Sequence, residues 1–264
     1  MQLEADLTEE LLAVTASLRA HLEAEDDLGA PGLALRASAI EIAPRLSVPD
    51  RTPQRSPAAP APHVELPRPA ALSGSDKRLH LQQLATESAG CTRCVLHEKR
   101  NRSVFERGSP DAEIAFVGEG PGRDEDAQGL PFVGAAGQLL DKMIAAMGYG
   151  RDAVYICNVV KCRPPENRTP RPEEAIACSH FLVPQLETVA PKVIVALGRC
   201  AAQALGVAEA SGSWRGRWGA WRGVPILPTY HPAFLLRSPE FKRTVWEDLQ
   251  LVMARLGRSP APRG

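Results

Sequence analysis

The segment Glu113-Ile114-Ala115-Phe116-Val117-Gly118 runs straight into a glycine-rich turn, Glu119-Gly120-Pro121-Gly122. Its apolar residues do not alternate with polar ones, so it reads as a strand buried on both faces and ending at Gly118. Residues 153–160, 192–198 and, more briefly, 223–228 repeat the pattern. Helical stretches lie between and after them. Residues 137–147 place Leu139, Leu140, Met143, Ile144 and Met147 at helical spacing. Residues 172–189 open with proline, followed by Glu173-Glu174, a favoured first turn. Residues 199–205 form a short helix and 239–256 a closing one. Buried strands separated by helices imply a parallel sheet covered on both faces. Ligands of such sheets sit beyond the carboxyl ends of the strands, which directs attention to the loops there.

Working back towards the start, the composition changes. From 44 to 69 there are eight prolines in 26 residues, a run that continues neither helix nor sheet. Before it, Leu11, Leu12, Val14, Leu18 and Leu22 suggest an amphipathic helix behind Thr8-Glu9-Glu10. The expected organisation is an acidic helical segment at 1–43, a Pro/Ala-rich linker at 44–75, a folded domain at 76–257 and a tail at 258–264. The whole chain of 264 residues is formally neutral, with 31 Lys+Arg and 31 Asp+Glu. Residues 1–76 hold 6 and 12 of these (−6), so the remainder is +6. The neutral total therefore excludes only a uniformly basic protein. With no basic-then-apolar leader and no long apolar run, neither secretion nor a membrane span is expected, and the protein reads as cytoplasmic.

The turn at 118–122 is a poor phosphate cradle. Pro121 removes a donor, there is no Walker lysine, and Glu119, Asp124, Glu125 and Asp126 crowd it with negative charge. It reads as a tight turn, or as one pressing amides against a flat neutral ligand. Phe132, between Pro131 and two glycines, is either a local core plug or a stacking platform. Asn158 is polar within an apolar strand. It either bonds a neighbouring loop or reads a donor–acceptor edge, since an amide offers both C=O and NH2. His231 follows the fourth strand, ahead of a rigid proline and Leu235-Leu236-Arg237.

Six cysteines are too few for a disulfide scaffold. Cys91, Cys94, Cys162 and Cys178 form C-x2-C-x67-C-x15-C, a set that holds zinc or an iron–sulfur cluster, and spacing alone leaves both open. No strand precedes the C-x2-C to give the βαβ setting of a redox pair. Cys157 and Cys200 read as buried free thiols.

Taken in order, these pieces resemble the family-4 uracil-DNA glycosylases, the iron–sulfur type. The matching stretches are the four cysteines, 118–122 with the acids after it, Gly129-Leu-Pro-Phe-Val-Gly-Ala-Ala-Gly-Gln-Leu-Leu-Asp141, 158–170 and 231–237. The resemblance covers about residues 84–256. It implies a three-layer α/β/α domain around a central four-stranded parallel sheet, here with a flexible N-terminal extension. It implies a [4Fe-4S] cluster on Cys91, Cys94, Cys162 and Cys178. It implies that Phe132 stacks on a flipped uracil, that Asn158 reads the N3–H and O4 edge, and that His231 approaches O2. Glu119 and Gly120 would line the C5 edge. Gly120 departs from the alanine common in the family, a loss of one methyl group with little expected effect.

On this resemblance the chain is a base-excision repair glycosylase acting as a monomer on uracil-containing DNA, single- or double-stranded. DNA contacts are expected from Lys161, Arg163, Arg168 and the Leu235-Leu236-Arg237 tip, with Leu235 or Leu236 filling the gap left by the base. Glu125 and Asp126 are candidates for positioning water, or simply a charged surface turn. The N-terminal segment is expected either to tether a protein partner or to be dispensable. Two other classes compete. A non-catalytic or covalently trapping uracil-DNA binder would fit the cysteines, but no His-bearing basic insertion lies between Asn158 and Glu173. A dinucleotide-dependent oxidoreductase rests on the glycine loop alone.

Overall fold

Side chains along a strand point alternately to opposite faces. In β2 (Ile114–Gly118), Ile114 and Phe116 enter one core, while Ala115 and Val117 enter another. Both sets are fully buried, which is why the segment is apolar throughout. Strand β4 (Val193–Leu197) divides in the same way: Val193, Val195 and Leu197 share the core of Phe116, and Ile194 and Ala196 share that of Val117.

The computed structural model describes residues 73–208 and 214–259, all within the unit Pro60–Gly264. The helix expected at 11–22, the linker up to residue 72 and residues 260–264 lie outside the described residues. In the first core, α1 (Gly74–Gly90), α4 (Pro172–Val189) and α5 (Arg199–Ala204) pack through Leu81, Leu84, Phe181, Leu182, Leu186, Ala201 and Ala202. In the second, α3 (Ala135–Ala146) and α7 (Lys242–Arg255) supply Leu140, Ile144, Val245, Leu249 and Val252. Two helical layers around one sheet match the expected α/β/α arrangement. Among the described residues, no helix is long and apolar enough to cross a membrane.

The sheet has six strands in the order β1-β3-β2-β4-β6-β5. Neighbours among β3 (Tyr155–Asn158), β2, β4 and β6 (Val224–Thr229) run parallel. Two short edge strands, β1 (Glu106–Gly108) and β5 (Gly219–Trp221), pair antiparallel at the ends. The sequence reading missed both, since three residues carry no periodicity. The carboxyl ends of β2, β3 and β6 gather Glu119, Asn158 and His231 at one rim.

The end of β6 is braced from behind. Asp248 on α7, 3% exposed, accepts from Thr229 Oγ1 at 2.6 Å. It also accepts from Arg215 Nη1 at 2.7 and 2.8 Å. The Arg215 guanidinium lies 5.4 Å from the Tyr230 ring, immediately before His231. Asp248→Ala leaves a buried hydroxyl and a half-buried guanidinium without their acceptor. It is expected to lower unfolding free energy by about 3 kcal/mol, read from the urea midpoint at unchanged slope.

Candidate functional site

A cavity of about 420 Å³ opens at the carboxyl rim of the sheet, lined by Glu119, Gly120, Glu125, Phe132, Asn158 and His231 among others. Phe132 is buried with a left-handed backbone (φ 56°), which lets the loop turn its ring inward. The ring stacks against the His231 imidazole, with centroids 5.5 Å apart at 30°. Beneath it, Gly118 is a contact surface: a Cβ there would lie 2.4 Å from Asn158 Oδ1 and 2.5 Å from Phe132 Cζ. The strand end must therefore be glycine for the aromatic and the amide to meet. Asn158 is 1% exposed, and its Oδ1 has no hydrogen-bond partner. A buried acceptor left unpaired in a cavity wall is costly unless a ligand supplies the donor.

His231 caps α6 (Pro232–Arg237), its Nδ1 accepting from the Ala233 N–H at 3.1 Å. Burial lowers its pKa to about 4, and the nearby Arg237 charge acts in the same direction. The ring is therefore neutral at pH 7. With Nδ1 accepting, the proton resides on Nε2, which makes His231 a neutral donor.

The carboxylates divide by role. Burial raises the Glu119 carboxyl above its ordinary range, opposed by a hydrogen bond with Thr169, a partner the sequence did not disclose. Glu125 accepts from the amides of Gly122 (3.1 Å), Val133 (2.9 Å) and Gly134 (2.9 Å). It thereby clips the glycine turn to the Phe132 loop while still lining the cavity. Asp126 points elsewhere. At 1% exposure it accepts from Asn101 N at 2.9 Å, Asn101 Nδ2 at 2.6 Å and Arg102 N at 3.4 Å. It is neither a surface turn residue nor part of the cavity lining. Gly120 faces Val160, whose Cγ2 would lie 2.8 Å from a Cβ at that position. The missing methyl is thus not free space, and an alanine there requires Val160 to shift.

Two residues expected at DNA are placed otherwise. Lys161 is 1% exposed, because its side chain folds back to donate to the Asn158 carbonyl at 2.6 Å. Leu235 is likewise 1% exposed, packed into the second core as the inward residue of α6. Leu236 is 46% exposed, so it alone of the pair is available as a wedge. Arg237 is exposed and lines the cavity. Arg163 donates to Asn167 Oδ1 at 2.8 Å. Arg168 also lines the cavity but is engaged by the buried Glu174 through two bonds, of 2.8 and 2.7 Å.

Cys91, Cys94, Cys162 and Cys178 line a second cavity, together with Lys161 and Phe181. Cys157, buried mid-strand, and the partly buried Cys200 are not among its lining residues. Arg100 Nη1 donates to Cys162 Sγ at 3.1 Å and to the Cys91 carbonyl at 2.9 Å. The Lys161 N–H donates to Cys178 Sγ at 3.3 Å. Burial raises the Cys162 thiol, offset in part by Arg100, and pushes the Cys178 thiol up to about 11. Among the described residues, no three His, Cys, Asp or Glu side chains form a group fit for a single metal ion.

The family model of the uracil DNA glycosylase superfamily matches residues 105–250. The chain is 45% identical over 185 residues to a type-4 uracil-DNA glycosylase of Thermotoga maritima, covering 66% of this chain and 93% of that protein. It is 42% identical over 189 residues to one from Archaeoglobus fulgidus, covering 67% and 94%. With one from Saccharolobus solfataricus it shares 40% over 191 residues, covering 69% and 88%. The matched region contains β1 to β6 and the whole cavity rim, so the chain belongs to the uracil DNA glycosylase superfamily, in its type-4 branch.

Proposed function

We propose that the protein excises uracil from DNA, hydrolysing the N-glycosidic bond and leaving an abasic site for repair. The unpaired Asn158 Oδ1, buried in the cavity wall beside a stacked aromatic, carries this reading. Uracil fits what is there. Its flat ring suits Phe132, its N3–H supplies the donor that Oδ1 lacks, and its O4 accepts from the Asn158 NH2. Cytosine offers a lone pair at N3 and is refused. Flipping the base out of a duplex costs a few kcal/mol, least at a mismatch or in a single strand. As the bond breaks, charge gathers on uracil O2, where the neutral His231 donates from Nε2. Exposed Arg237 lines the cavity and suits the DNA backbone, and the exposed Leu236 next to it in the chain suits the vacated stack.

Four thiols line one cavity, a donor set that suits the iron–sulfur cluster the resemblance implies. Cys91, Cys94, Cys162 and Cys178 would hold a [4Fe-4S] cluster, which would tie the loop at 158–170 to the C-x2-C turn. The hydrogen bonds to Cys162 and Cys178 suit thiolate ligands.

The deciding experiment is uracil release from an oligonucleotide, followed by alkaline strand cleavage, beside an anaerobic optical spectrum. A brown protein that generates cleavable abasic sites with turnover is expected. Retention of DNA without cleavage would instead indicate a binder, or a covalent trap if the complex survives denaturation. A narrower check uses Gly118→Ala. The added methyl displaces Asn158 and Phe132, so release is expected to fall at least about 10²-fold, with unfolding free energy lowered by about 1–3 kcal/mol through overpacking.

A further inference from the structure

Lys161 contacts two parts of the molecule at once. Its N–H donates to Cys178 Sγ at 3.3 Å, and its carbonyl accepts from Val104 N at 2.8 Å. The next residue is Cys162, whose sulfur takes the Arg100 bond. The side chain runs the other way. Nζ donates to the Asn158 carbonyl at 2.6 Å and lies 5.7 Å from the Phe105 ring centroid. The residue is fully enclosed and lines the four-cysteine cavity.

An ammonium taken out of water needs compensating negative charge and hydrogen bonds. The carboxylate whose charge acts with it, Glu106, is partly buried and bonded by Tyr155. Four ligating thiolates on the far side would complete the compensation. On the near side, the Asn158 carbonyl lies at the last residue of β3, where the ladder to β2 ends. Val159 N–H still bonds the Gly118 carbonyl at 2.9 Å, so the Asn158–Val159 peptide is held by β2 on one side and by Lys161 on the other. Holding that peptide fixes the position of the Asn158 Cα, from which the side chain projects.

We propose that Lys161 is a positioning residue that links the four-cysteine cavity to the base-reading amide: negative charge in the cavity holds the ammonium, and the ammonium holds the Asn158 backbone. The proposal rests on the glycosylase reading. It explains why Lys161 is buried while Arg163, in the same loop, remains partly exposed.

Full-length wild type, Lys161→Met, Asn158→Ala and the double variant are purified anaerobically. Iron per chain, melting temperature and inhibition by free uracil are measured beside single-turnover release from a uracil oligonucleotide. Wild-type release that depends on Asn158 tests the glycosylase reading by itself. With iron retained, Lys161→Met is expected to weaken inhibition by free uracil and to slow release, each by about 10–100-fold. The double variant is expected to be no weaker than Asn158→Ala, because both changes act through one group. Should the Met variant lose iron or fold, the same cycle with Lys161→Arg decides by the same criteria, since the bulkier fork cannot keep the 2.6 Å bond in its present geometry. Iron-loaded Lys161 variants within about twofold of wild type, or losses that multiply in the double variant, overturn the proposal.

Discussion

His231→Ala is expected to slow single-turnover uracil release by about 10²–10³-fold while leaving affinity for uracil-DNA nearly intact. The donor acts on charge that exists only as the bond breaks, so its loss appears in the rate and not in binding. The same variant removes the ring on which Phe132 rests, yet Phe132 keeps its backbone turn and its place in the second core. An unchanged rate would remove His231 from the chemistry.

The protonation of His231 adds a pH signature. The folded pKa of about 4 lies below the ordinary 6.5, because the charged ring is penalised by burial and by Arg237. Below pH 6.5 the unfolded chain binds a proton that the folded chain refuses. Stability from this group is therefore complete above pH 6.5 and is lost as pH falls from there through 4. The rate of release is not expected to change as pH crosses 6.5, since the ring stays neutral in the fold. In His231→Ala the corresponding slope in stability between pH 6.5 and 4 is expected to disappear, measured by denaturant titration at stepped pH.

Asn158→Asp carries the second large effect. An ionised carboxylate accepts from N3–H but cannot donate to O4, and it stands unpaired beside Glu119 in a buried wall. Release of uracil is expected to fall by about 10²-fold or more. Burial favours protonation of the introduced carboxyl, and in that form its O–H donates to cytosine N3 while its C=O accepts from the N4 amine. Measurable cytosine release, growing as pH falls, is the expected gain. A variant that still excises uracil at the wild-type rate and ignores cytosine at every pH would reject edge reading by Asn158.

Much of this site was legible along the chain. The two-faced strands of the parallel sheet are written in near-continuous apolar runs, because both faces are covered and neither needs polar residues. Phe132, Asn158 and His231 stood out because each is of a type its local element does not call for. The edge strands β1 and β5 were not legible, since their pairing is decided by neighbours distant in sequence. Basic residues were misleading for a related reason. Charge suggests solvent, and nothing local distinguishes Lys161 from Arg163, although one ammonium is sealed against a strand end and the other cation is not.

By itself, the sequence determined the layer architecture, the strand-end location of the site and the residue types available there, because periodicity and turn chemistry act over a few residues. Only the tertiary structure decided how those types are used. It set the tautomer of His231 through Ala233, paired Asp126 with Asn101, and turned Leu235 inward and Leu236 outward. It also placed Lys161 between Cys178 and Asn158. These outcomes depend on burial and on partners brought together by folding, and the cost of an unpaired buried group selects among them.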